Sequence, residues 1–141
     1  MLPSAIEGEA MPRALKWGFV LAALAVLAVG GCRPPRGRNY VVRAQVVEMP
    51  GADNGQLLML HHEAVDDFVS RDGSRDGMDS MTMPFLVART VPVQEIHPGD
   101  KIEVILHVDW KADRAVEITG LRKLAPTQTL EFRAAHRPAK P

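Results

Sequence analysis

Between Lys101 and Asp109 the chain alternates without a break. Ile102, Val104, Leu106 and Val108 fall on one side, and Lys101, Glu103, Ile105 and His107 on the other. A two-residue period of this kind defines a strand with one buried face. Outside residues 17–31 no segment sustains the 3.6-residue period of an amphipathic helix. The remaining apolar segments are short. Val41 to Met49 is β-branched and alternates loosely, Gln56 to His62 is a brief apolar run, and Met78 to Val87 contains a third strand. Ala115 to Leu124 alternates Val116, Ile118 and Gly120 with polar neighbours. Turn-forming residues separate these segments at 50–55, at His97-Pro98-Gly99-Asp100 and at 111–114. Residues 63–77 are polar, carry Arg-Asp-Gly twice (71–73 and 75–77), and read as a loop with a helical turn near Ala64 to Val69. Five short strands in so little chain predict an all-β fold, a small closed or nearly closed barrel, because closure removes exposed sheet edges.

The N-terminal region is of another kind. Residues Trp17 to Gly31 carry no charge and come after Arg13 and Lys16. A basic stretch, an apolar run and small residues are the marks of a secretory signal. The run ends Val29-Gly30-Gly31-Cys32, which resembles a bacterial lipobox, where cleavage leaves the cysteine first and lipidated. The competing reading is a spanning helix with a free thiol after it, but spanning takes roughly 20 apolar residues and this run is shorter. The lipoprotein reading divides the chain into a removed signal peptide (1–31), lipidated Cys32 with a tether (32–39), a barrel (40–124) and a flexible tail (125–141). Within that tail, Thr129-Leu130-Glu131-Phe132 could add a strand to an edge. Arg33 stands where inner-membrane retention would want aspartate, so the expected place is the envelope, lipid-anchored and periplasm-facing, at the outer membrane. Residues 1–10 hold two glutamates and no basic group, which makes Met11 the tidier start of such a signal.

Composition excludes several functions. The single cysteine rules out an intrachain disulfide framework and a cysteine-based zinc site. Seventeen basic against 17 acidic side chains give no broad nucleic-acid footprint, and 5% aromatics supply no stacking platform for single strands. There is no Ser/His/Asp order, phosphate loop or paired catalytic carboxylate, so the expectation is a binding module rather than an enzyme. Asp72, Asp76 and Asp79 lack the dense oxygen ligands and terminal glutamate of a calcium loop. Residues 63–79 hold six acids and two arginines, net −4, which reads as a solvated loop or as an acidic collar.

Methionine is the unusual residue. There are seven, and Met78, Met81 and Met83 fall within six positions. Met81 and Met83 are two apart, so on a strand both thioethers leave one face, about 7 Å apart at the α-carbons. Thioether sulfur is soft and neutral; it suits Cu(I) or Ag(I) and serves Mg²⁺ or Ca²⁺ poorly. Neutral imidazole suits copper as well, and a His-His pair lies one strand earlier, at 61–62. Taken alone, Met-Thr-Met fits core filling equally well, since methionine packs irregular gaps.

His61-His62-Glu63-Ala64-Val65, with Met81-Thr82-Met83-Pro84-Phe85 after it, resembles the CusF-type periplasmic copper/silver-binding family. The likeness runs from about Tyr40 to Leu124. It implies a five-stranded OB-like barrel that binds Cu(I) or Ag(I). It assigns the ligand histidine to His62, just before the acidic Glu63, and the sulfur ligands to Met81 and Met83; His61 is then expected on the opposite side of its strand. The family places a metal-capping tryptophan three residues before the first methionine. This chain has Met78 there, a candidate third sulfur, and a longer loop before it. By alternation Met78 would oppose Met81, but Asp79-Ser80 favours a turn or bulge that changes the facing. The resemblance implies partners such as a metal-efflux system or cytochrome-oxidase copper-assembly proteins. The alternative is a non-metal interaction module of an envelope assembly, its methionines packing a contact surface.

Overall fold

The structure, a computed structural model, describes residues 36–137. The expected signal peptide, Cys32, the first part of the expected tether and the last four residues of the expected tail lie outside the described residues. Five strands run in order: β1 (Arg38–Glu48), β2 (Leu58–His62), β3 (Met81–Val87), β4 (Lys101–Val108) and β5 (Val116–Lys123). They close as β1-β2-β3-β5-β4, with β4 returning to β1. Every neighbouring pair is antiparallel except β3 with β5, which run parallel. A small closed barrel of this strand order is OB-like.

β1 is long enough to serve two neighbours. Its first part pairs with β4 (Arg38 opposite Val108 through Gln45 opposite Lys101), and its second part pairs with β2 from Ala44 onward. Alternation decides what fills the barrel. Tyr40, Val42, Ala44 and Val46 of β1 meet Leu58 and Leu60 of β2 and Ile102, Val104, Leu106 and Val108 of β4, all buried. Burying such side chains contributes about 1.5–3 kcal/mol each, which makes this interior the main source of stability.

β1 begins at Arg38, inside the span read from sequence as tether. The alternation read in β5 also breaks. A register shift at Ile105/Leu106 sets Ile118 opposite Leu106 but Gly120 opposite the exposed Ile105. A β-bulge reverses the facing of the residues beyond it. Gly120 therefore lies on the outer face, where an added Cβ would meet Ile105 Cδ1 at 2.9 Å, and Leu121 packs against the core instead. Residues 64–69 form no helix, only a single turn in which Phe68 N donates to Val65 O at 3.4 Å. Val65 makes an isolated antiparallel bridge with Met78, and the turn expected at 50–55 takes the form of a short 3-10 turn over Ala52–Asn54.

The loop after β2 is anchored from within. Phe68 is buried against Tyr40 and meets the Trp110 ring edge-on at 6.1 Å. Tyr40 Oη accepts from Val69 N at 3.1 Å, and Trp110 Nε1 donates to Val69 O at 3.0 Å. Trp110 is thus a packing residue at one end of the barrel.

The sequence predicts a flexible tail over 125–141, of which residues 125–137 are described. They form no strand, but they lie along the barrel rather than away from it. Lys101 Nζ donates to the carbonyls of Pro126 and Gln128 at 2.7 and 2.6 Å, and the chain continues across the loop between β2 and β3. The physical reason is charge: basic groups of the tail meet the acids of residues 63–79.

Candidate metal centre

β2 and β3 pair with His62 opposite Met81, Leu60 opposite Met83 and Leu58 opposite Phe85. Residues directly opposite in an antiparallel pair share a face, with Cβ atoms about 4.5–5.5 Å apart. Leu58 and Leu60 are buried in the core, so His62, Met81, Met83 and Phe85 lie on the inner face of the barrel wall. Met83 packs against the core, and Met81 is 45% exposed. His61 and Thr82 fall on the outer face.

His62 is the one buried polar side chain among the described residues, 1% exposed. Its Nδ1 lies 2.7 Å from the carbonyl oxygen of Glu63. A carbonyl only accepts, so Nδ1 carries the proton and donates. Nε2 is left with its lone pair, and it has no hydrogen-bond partner among the described residues. Burial holds the imidazole below its ordinary value of 6.5, a shift that the Glu63 bond partly opposes and nearby His61 reinforces. The ring is therefore neutral, fixed in one tautomer, and presents an unused donor pair. Phe85 stands edge-on to it at 5.9 Å.

Met78 reaches the same side by another route. Val65 and Met78 exchange two main-chain hydrogen bonds of 2.8 Å, one in each direction. Val65 is buried, and Met78, opposite it, packs against the core as well. The Asp79-Ser80 bend interrupts the strand, so the odd spacing from Met81 does not throw Met78 to the outer face. Ser80 Oγ donates to the carbonyl of His62 at 2.7 Å and fastens this bend to the end of β2. One neutral nitrogen and two thioethers are thus adjacent across β2 and β3, with a third thioether just beyond the bend. Such a set can hold a soft monovalent ion and adds no charge of its own.

Among the described residues no group of three or more His, Cys, Asp or Glu is placed to hold a metal ion. Asp72 and Asp76 share the single Ser74 hydroxyl between them, while Asp79 is turned to Ala135 N and Arg137. His97 is exposed beside Asp100, and His107 meets Asn39.

Two features at this centre were missed in the sequence. Glu63 is a junction: one carboxylate oxygen accepts from Arg43 Nε at 2.8 Å and the other from Glu131 N at 2.6 Å. His61 is stacked by Phe132, with ring centroids 3.9 Å apart. Neither contact leaves a local mark in the sequence, since Glu63 meets Arg43 of β1 and the main chain of Glu131, and His61 meets Phe132.

No family model matches this chain, and no curated protein matches it. Among solved structures, the chain is similar to that of apo-CusF residues 6–88 from Escherichia coli, at 17% identity and a TM-score of 0.38, over 62% of this chain and 92% of that one.

Proposed function

We propose that this protein is an envelope Cu(I)- or Ag(I)-binding protein that carries one ion and hands it on, rather than an enzyme. One observation carries the reading: a buried imidazole, fixed by its Nδ1 bond to Glu63, holds an unpaired Nε2 on the face it shares with Met81 and Met83. An orphaned buried acceptor is destabilising by about 1–3 kcal/mol, and a fixed tautomer with a free second nitrogen is how histidine ligates metals. In this reading His62, Met81 and Met83 bind the ion, with Met78 as a further sulfur. The exposed Met81 is the side from which a partner's sulfurs enter as one methionine leaves. The partner would belong to a metal-efflux system or a cytochrome-oxidase copper-assembly path, and lipidation at Cys32 would hold the protein in the envelope.

The test is a competition titration with Cu(I) and Ag(I) under reducing conditions, on wild type and on variants at His62, Met81 and Met83. One-to-one binding that Zn²⁺ contests poorly, weakened by each substitution, is the expected result. Absence of Cu(I) binding would turn the reading toward an interaction module whose methionines pack a contact surface.

A further inference from the structure

The Met78–Met81 bend has no strand partner of its own. Met78 is fixed by Val65 and Met81 by His62, but Asp79 and Ser80 between them belong to no ladder. Their outward hydrogen bonds go instead to residues 131–137. Ser80 N donates to Arg133 O at 2.9 Å, and Asp79 Oδ1 accepts from Ala135 N at 2.8 Å. Arg137 Nη2 reaches both oxygens of Asp79 at 3.1 Å. At Gly77, where φ is +69°, an added Cβ would come within 2.7 Å of Ala135 Cβ. The segment is itself fastened further along the loop. Arg133 makes a two-pronged pair with Asp66, 2.8 Å at each prong, and His136 N donates to the same carboxylate at 2.7 Å. At its start, Glu131 N is bonded to Glu63, the neighbour of His62, and Phe132 covers His61.

We propose that residues 131–137 are a positioning strap for the metal centre: clamped to Asp79-Ser80 at one end and to Glu63 at the other, they hold Met78 and Met81 turned to the side of His62. The proposal rests on the Cu(I) reading above. The physics is preorganisation. A two-residue bend without ladder bonds, held to β2 only by the Ser80 Oγ bond to His62 O, samples several conformations, and a site assembled only part of the time binds more weakly in proportion. Exposed ion pairs contribute little singly, but a two-pronged arginine–carboxylate pair joined to main-chain bonds forms a network. No strap residue is a ligand; each acts through the bend or through Glu63 and His61 beside His62.

The experiment compares the full chain with one ending at Leu130, which keeps the Lys101 bonds to Pro126 and Gln128, and with Arg133→Ala and Arg133→Lys in the full chain. Two quantities are read: amide hydrogen exchange at Ser80 without metal, and Cu(I) affinity by competition. Removing the strap should speed exchange at Ser80 while β4 amides keep their protection. Cu(I) affinity should fall about tenfold, as expected for a site assembled roughly a tenth of the time. Arg133→Ala should fall between these, and Arg133→Lys, which keeps the charge but not the two-pronged pair, should recover only part of the loss. Undisturbed Ser80 protection or undiminished Cu(I) affinity in the shortened chain overturns the strap and leaves the copper reading standing. A full chain that binds no Cu(I) overturns both.

Discussion

At His62 stability and function pull in opposite directions. The side chain is buried with one nitrogen satisfied by Glu63 and the other unpaired. Replacing it by leucine removes an orphan that is destabilising by about 1–3 kcal/mol and gives up a hydrogen bond that contributes about 0.5–1.5 kcal/mol. The metal-free His62→Leu protein is therefore expected to be at least as stable as wild type in urea unfolding, while its Cu(I) affinity collapses. The same residue sets a pH dependence. Its folded pKa lies below the ordinary 6.5, so in acid the unfolded chain takes up the proton first. His62's contribution is complete above pH 6.5 and declines as the pH falls from there towards the lower folded value. Wild type should lose stability relative to His62→Leu as the pH falls below about 6.5, the ordinary histidine value. Equal slopes for the two proteins would mean that the imidazole is not held neutral. Cu(I) binding should weaken over the same descent, because proton and metal compete for Nε2.

Among the elements, β2 and β3 carry the distinction between packing and ligation. Met81 is 45% exposed, so Met81→Leu should leave stability within about 0.5 kcal/mol of wild type. Met83 packs against the core, and a swap of similar volume there should alter stability by less than about 1.5 kcal/mol. Both should weaken Cu(I) binding, and Met78→Leu should weaken it less. X-ray absorption of each Cu(I)-loaded variant should show one sulfur scatterer fewer, and an unchanged count for Met78→Leu would reduce that residue to packing. The strands themselves were legible because alternation is a local signal. Ile102, Val104, Leu106 and Val108 could be assigned to the inner face from spacing alone. β5 was legible only up to its bulge, since the shift beside Ile105 depends on the partner strand and leaves no mark in the sequence of β5 except Gly120. At the centre, the sulfur pair and the His-His pair were visible by residue type and spacing. The role of Glu63 and the seating of residues 131–137 were not, because their bonds join positions tens of residues apart: Asp66 to Arg133, Asp79 to Ala135, Glu63 to Glu131.

On the scale of the whole molecule, metal site and anchor are separable by their chemistry. The proposed ligands lie between His62 and Met83, on two adjacent strands and the bend before the second. In the lipoprotein reading proposed above, the chain's one thiol, Cys32, is spent on lipid rather than on copper. The distinction matters because thiolate is the strongest soft ligand a protein offers, and a free Cys32 could capture Cu(I) by itself. If Cys32 is acylated through its sulfur, that capture is closed and the thioether–imidazole site alone sets the affinity. Cys32→Ser then affects one property and spares the other. Metabolic labelling with a fatty acid should mark wild type and not Cys32→Ser, and the variant should leave the membrane fraction or persist as an uncleaved precursor. Cu(I) affinity of the two proteins should agree, because serine removes no ligand of the centre. Equal labelling would sink the lipoprotein reading. A marked fall in Cu(I) affinity in Cys32→Ser would instead place the thiol among the copper ligands, and the neutral-donor account of the centre would have to be replaced by one in which a thiolate contributes.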